Sequence, residues 1–104
     1  MAMFLAAFRR LPEIHKMTID GRWFDGRPLL SEFPRLWGQT IGLISFGNVA
    51  KAVARRCHAF GLRVVAYDPY LSELEMSSVD VEPESSLMGL LRRSDFVSMH
   101  APLN

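Results

Sequence analysis

The residues best suited to chemistry in this chain are not acids or nucleophiles. They form a small-residue turn, Ser45-Phe46-Gly47-Asn48-Val49-Ala50, set between an apolar run and a helical pattern. A strand that ends where a helix begins aims the chain at free backbone N–H groups, and such a point binds phosphate. A dinucleotide-binding turn has the pattern G-x-G-x-x-G. Gly47 supplies the middle glycine, which lets backbone approach a pyrophosphate, and Ala50 in the third place still lets the helix pack on the strand. Ser45 takes the first place, where its Cβ crowds a tight turn, so glycine there is expected to bind a dinucleotide better.

A second group lies 23 positions after Ser45, where Asp68 follows Val64-Val65-Ala66-Tyr67. A carboxylate there accepts hydrogen bonds from ribose hydroxyls and repels a 2′-phosphate, which favours NAD over NADP. An aspartate before proline is also an ordinary turn residue, and both readings stand. The third group is His100-Ala101-Pro102, which ends the run Phe96–Met99. In a sheet of order 3-2-1-4, strands two, one and four are neighbours, and ligands bind where their carboxyl ends meet. The candidate cofactor-binding set is therefore Phe46, Gly47, Asn48 and Val49 on the turn, Asp68 and Pro69 after the second strand, and His100, Ala101 and Pro102 after the fourth. His100 reads either as a wall beside the nicotinamide or, more simply, as a strand-end residue. His15 and His58 have no partners at metal-ligand spacing. Cys57 and His58 are neighbours on a helix and point about 100° apart, so no metal site is expected.

The elements that must position these groups alternate. Ile41–Ser45 reads as a strand and Gly47–Phe60 as a helix with the stripe Val49, Ala50, Val53, Ala54, Cys57 and Phe60. Gly61 sits where a helix-ending glycine belongs, and Leu62–Tyr67 is the second strand. A short helix over Tyr70–Met76, a weak strand over Val79–Val81, a helix opened by Pro83 with the face Leu87, Leu90 and Leu91, and a strand over Phe96–Met99 follow. This is an α/β pattern: a Rossmann-like parallel sheet with flanking helices, incomplete, with about four strands in the order 3-2-1-4. Upstream, Met3–Lys16 has helical spacing interrupted at Pro12, and Gly21–Pro34 is a turn-rich connector. Trp23, Phe24, Phe33, Leu36 and Trp37 are expected to pack that connector onto a core. The organisation expected is residues 1–35 as an N-terminal helix and connector and residues 36–104 as a partial dinucleotide-binding domain.

Composition narrows the function classes. Hydrophobic residues make up 49% and charged residues 22% of the chain, as in a soluble globular protein. A net charge of +1 offers no electrostatic attraction to nucleic acid or to an anionic membrane. One cysteine excludes an internal disulfide and fits a reducing compartment. Arg9-Arg10 follow the apolar start instead of preceding it, so no secretory signal or membrane span is read, and a cytoplasmic location is expected.

Three blocks, G-Q-T-I-G-L-I-S-F-G-N-V-A-K-A-V-A-R-R, A-F-G-L-R-V-V-A-Y-D-P-Y and R-S-D-F-V-S-M-H-A-P-L-N, resemble the NAD-binding domain of the D-isomer-specific 2-hydroxyacid dehydrogenases. The resemblance is strong from Leu36 to Asn104 and looser over Met3–Trp23. The ending Asp68-Pro69-Tyr70-Leu71 also resembles the C-terminal-binding-protein branch, whose members are dinucleotide-sensing corepressors. The resemblance implies hydride exchange between NAD(H) and small 2-keto or D-2-hydroxy acids. It implies pyrophosphate on the backbone of Asn48 and Val49, ribose on Asp68, and a cleft wall from His100-Ala101-Pro102. It also implies a homodimer contacted through the N-terminal helix. The family's catalytic arginine, histidine and glutamate match positions beyond Asn104, and its substrate-binding domain matches positions before Met1. The chain is thus expected to be a fragment that binds NAD without turnover, with a fourth strand left as an unpaired edge prone to self-association. An NAD(H)-sensing interaction module and a degenerate, non-binding domain are the alternatives.

Overall fold

The computed structural model describes residues 1–103; Asn104 lies outside the described residues, as does the side chain of Phe24. Two units form, Met1–Pro34 and the residues from Arg35 onward. In the first, the helical pattern is interrupted, as expected, and forms two helices, α1 (Ala2–Phe8) and α2 (Leu11–Ile19). The break falls at Arg10, whose φ of 50° is left-handed, and not at Pro12. Pro12 instead occupies the first turn of α2, where a missing N–H costs nothing. Phe4 and Phe8 stack at 6.5 Å on α1, and the Arg10 guanidinium lies over the Phe33 ring at 5.8 Å. The connector is not irregular throughout: it holds a 3₁₀ turn at Trp23–Gly26 and the helix α3 (Arg27–Glu32).

The second unit is built on four parallel strands, β1 (Thr40–Ile44), β2 (Arg63–Tyr67), β3 (Glu82–Pro83) and β4 (Phe96–Met99), in the order β3-β2-β1-β4. Between them run α4 (Asn48–Ala59), α5 (Glu73–Ser77) and α6 (Leu87–Arg93). The core is Ile41, Leu43, Phe46, Val64, Val65, Val81 and Leu90, with Ala50, Ala54 and Cys57 from α4. Small residues on α4 let it lie close to the sheet. Gly42 does the same for α6. A Cβ there would collide with Ser94 Oγ and stand 2.6 Å from Leu90 Cδ2.

Several sequence expectations are corrected. The third strand is Glu82–Pro83, not Val79–Val81, because Val81 turns into the core and Asp80, at φ 59°, reverses the chain before the sheet. Pro83 therefore does not open α6; on an edge strand its missing N–H is harmless. Ser86 caps α6 by accepting the Gly89 N–H at 3.0 Å. Val49 and Phe60 fall outside the buried stripe of α4 because they sit at its two ends, at the rim of the sheet; Val49 is 67% exposed. Only Leu90 of the α6 face is fully buried. Of the residues expected to pack the connector, Trp23 and Trp37 are exposed, the Trp37 indole lying over Gly61 where a Cβ would clash, and among the described side chains of that set only Leu36 joins the core.

Candidate functional site

A parallel sheet delivers the chain to one rim each time a strand ends. Here the rim holds the ends of β1, β2 and β4, and a cavity of about 440 Å³ opens between them. Ile44 and Ser45 line it from β1, Tyr67, Asp68, Pro69 and Tyr70 from β2, and Ala101 and Pro102 from β4. The His100 N–H bonds Ile44 O at 2.8 Å and so ties the last of these segments to the first.

The turn after β1 shows why its residues fold as they do. Ser45 N–H donates to Tyr67 O at 2.8 Å, continuing the β1–β2 ladder by one bond. Ser45 then adopts φ 70°, a left-handed conformation that costs a side chain roughly 1 kcal/mol. Phe46 drops into the core as a fully buried plug. Gly47 is the N-cap of α4, with φ −84° and ψ −165°. The first intrahelical bond runs from Lys51 N–H to Gly47 O at 2.9 Å, and no side chain caps the N–H groups of Asn48, Val49 and Ala50 ahead of it. Those donors carry the helix's partial positive charge, about half a unit. A Cβ on Gly47 would meet nothing within 4 Å, so no packing within the protein demands glycine there. Gly47, Asn48 and Val49 are all exposed, so the start of α4 is open to solvent.

Asp68 faces this turn across the rim. One carboxylate oxygen, Oδ2, accepts the Phe46 N–H at 2.9 Å and lies 3.5 Å from Ser45 Oγ; the other, Oδ1, accepts the Tyr70 N–H at 2.9 Å. Burial alone would raise its pKa. The N–H groups of Phe46, Tyr70 and Leu71 and the Ser45 hydroxyl outweigh that and hold it below the usual carboxylate range. A depressed carboxylate stabilises the fold fully above its unfolded pKa of about 4 and loses that contribution as pH falls through the lower folded value. Acid titration of the fold is expected to show this: Asp68→Asn should be less stable than the parent at neutral pH, with the gap closing below about pH 4. A gap unchanged down to acid unfolding would contradict the clamp.

The predicted site residues thus divide. Asp68, Pro69, Ala101 and Pro102 line the cavity, and Gly47, Asn48 and Val49 stand exposed at the start of α4. Phe46 is different: its side chain is core and its N–H is engaged by Asp68, so it shapes the turn and has no donor left for a ligand. His100 is half-buried, its Nε2 at 3.0 Å from Ser98 Oγ, and burial lowers its pKa, which leaves it neutral at pH 7. Sequence reasoning missed Ser45 and Tyr70 as wall residues. The available signals were Ser45's place as the first turn position and the length of side chain that follows Asp68-Pro69. No group of three or more potential metal ligands occurs among the described residues. No helix among them is long and apolar enough to cross a membrane.

Comparison with known proteins agrees with this fold. The family model "D-isomer specific 2-hydroxyacid dehydrogenase, NAD binding domain" matches residues 1–104. The chain is 34% identical over 103 residues to the D-3-phosphoglycerate dehydrogenase of Methanocaldococcus jannaschii, covering 99% of this chain and 19% of that protein. It is 35% identical over 107 residues to the hydroxypyruvate reductase of Thermotoga maritima, covering 99% of this chain and 31% of that one. Among solved structures, the apo form of Rhodotorula graminis D-mandelate dehydrogenase superposes with a TM-score of 0.87 at 25% identity, over 97% of this chain and 31% of that one. The chain therefore spans a fifth to a third of the length of these relatives. The corepressor likeness read from Asp68-Pro69-Tyr70-Leu71 finds no support in the matches.

Proposed function

The chain belongs to the D-isomer specific 2-hydroxyacid dehydrogenase family, as its NAD-binding domain, and from that premise we propose that the dinucleotide lies in the rim cleft, with its adenosine ribose at Asp68. The observation that carries this reading is an α4 start with no side-chain cap and no atom within 4 Å of a Gly47 Cβ, on the same turn that the ionised Asp68 carboxylate holds through the Phe46 N–H. The residues fit the cofactor as follows. Asn48 and Val49 N–H groups hold the pyrophosphate, Asp68 accepts from the ribose, and Pro69, Ala101 and Pro102 exclude water from the walls. When bound, NAD(H) supplies the hydride acceptor or donor for C2 of a small D-2-hydroxy or 2-keto acid. Hydroxypyruvate and 3-phosphoglycerate, named in the relatives, exemplify that substrate class.

On this reading the part the 104 residues play in the reaction is to hold and orient the cofactor. The first unit serves as the subunit contact of a homodimer, which its exposed Met3, Leu11 and Ile19 support. Calorimetry checks the cofactor reading. The chain is expected to bind NADH and to discriminate against NADPH. Asp68→Ala should weaken NADH about tenfold, the weight of a hydrogen bond to a charged acceptor, and should narrow the NADH–NADPH difference. Equal affinity for both dinucleotides in the parent chain would contradict it.

A further inference from the structure

Ser45 departs from the glycine of the usual turn, and its surroundings give the departure a use. Its backbone is pinned by the N–H bond to Tyr67 O at 2.8 Å, and its φ of 70° fixes the side chain's direction. It lines the same cavity as Asp68, and its hydroxyl stands 3.5 Å from Asp68 Oδ2, at the outer limit of a hydrogen bond. Phe46 and Tyr70 already hold one site on each carboxylate oxygen firmly, at 2.9 Å. The hydroxyl proton is the loosely held member of this cluster, and the second site on Oδ2 is the one it half occupies.

We propose that Ser45 is a specificity-determining residue of the cleft, its hydroxyl joining Asp68 in a two-point grip on the vicinal diol of the adenosine ribose. One diol hydroxyl donates its proton to Asp68 Oδ2. This displaces the weak Ser45 contact, and the Ser45 O–H turns to donate to the oxygen of the neighbouring diol hydroxyl. A glycine turn offers the diol a carboxylate alone; this one offers an acceptor and a donor side by side. The sequence expectation for glycine at this position is thereby reversed for binding: relief of the left-handed backbone stabilises the fold but removes half of the grip.

The inference rests on the cleft being the dinucleotide site, and the test separates the two. Alanine keeps the Cβ and the backbone demand of Ser45 and deletes only the hydroxyl; glycine also removes the demand. NADH binding is measured by calorimetry for the parent chain, Ser45→Ala and Ser45→Gly, each checked for folding by thermal melting. It is repeated with dinucleotides whose adenosine lacks the 2′- or the 3′-hydroxyl. Both variants are expected to bind NADH about fivefold more weakly, with only the glycine variant melting higher. The loss should vanish against one of the two deoxy dinucleotides, the one that lacks the hydroxyl Ser45 contacts. A Ser45→Ala chain that binds NADH as the parent does, or that loses the same factor against every dinucleotide, overturns the role of Ser45 while leaving the cleft in place. A folded parent chain that binds no NADH overturns the cleft assignment and this inference with it.

Discussion

Gly47→Asp is expected to abolish NADH binding, by more than about a hundredfold, while the chain melts at the same temperature or slightly higher. The two effects separate because of what surrounds Gly47. A Cβ there meets no atom within 4 Å, and the backbone, at φ −84° and ψ −165°, is extended and open to any residue. Aspartate is a preferred N-cap, and its carboxylate would accept one of the N–H groups that no side chain now caps. The fold therefore gains a cap. The ligand loses its place, since a fixed negative charge then stands where the pyrophosphate would lie. Two like charges about 4 Å apart repel by roughly 4 kcal/mol at a partly solvent-exposed site. Calorimetry and thermal melting on the same preparation read both outcomes. A variant that keeps NADH affinity would move the pyrophosphate off the start of α4, and one that unfolds would show that Gly47 serves packing instead.

Gly42→Val is expected to do the opposite: to destabilise the chain by about 3 kcal/mol, the upper range for overpacking a filled core. Gly42 pairs with Val65 on one side and Val97 on the other, in the centre of the sheet. Added atoms would meet Leu90 Cδ2 at 2.6 Å and the Ser94 hydroxyl. Leu90 is fully buried, and Ser94 Oγ is engaged with Leu90 O, so neither side chain yields without shifting α6. For a domain of this size such a loss lowers the melting temperature by on the order of ten to twenty degrees. Gly42→Ala should fall between the parent and Val. A valine variant that melts with the parent would mean that α6 does not rest on β1.

The strands and the long helix were legible because their signals are local. Apolar runs at Ile41–Ile44, Val64–Tyr67 and Phe96–Met99, joined by the small-residue stripe of α4, dictate a parallel sheet, and its order follows from short crossovers. The third strand was not legible because its place is decided by pairing at a distance. Glu82 sits in the sheet where Arg63, at 3.0 Å, and Arg93 both reach it, and Arg93 goes on to Glu84 at 3.0 Å. A valine-rich window carries no trace of those partners. Similarly, the break at Arg10 rests on a left-handed residue that helical periodicity cannot register.

The site shows the same division. Spacing alone brought the Gly47 turn, Asp68 and Ala101-Pro102 to one rim. What spacing could not supply was direction. The carboxylate of Asp68 turns back to clamp Phe46 and Tyr70 N–H groups as well as facing the cavity, and Phe46 buries its ring. Tyr70, 94% exposed, lines the cavity from a turn that the sequence pattern assigns to the start of a short helix, whereas α5 begins only at Glu73. Ser45 reads in sequence as a defect of the motif, yet in the fold its hydroxyl has a partner.

Titrating isotopically labelled chain with NADH and following backbone amide resonances tests the central claim most directly. Saturable shifts are expected in three segments, Ser45–Val49, Asp68–Tyr70 and His100–Leu103, with the amides of Arg92 and Arg93 unmoved. Shifts confined to one of those segments, or centred on the far end of the sheet, would contradict it.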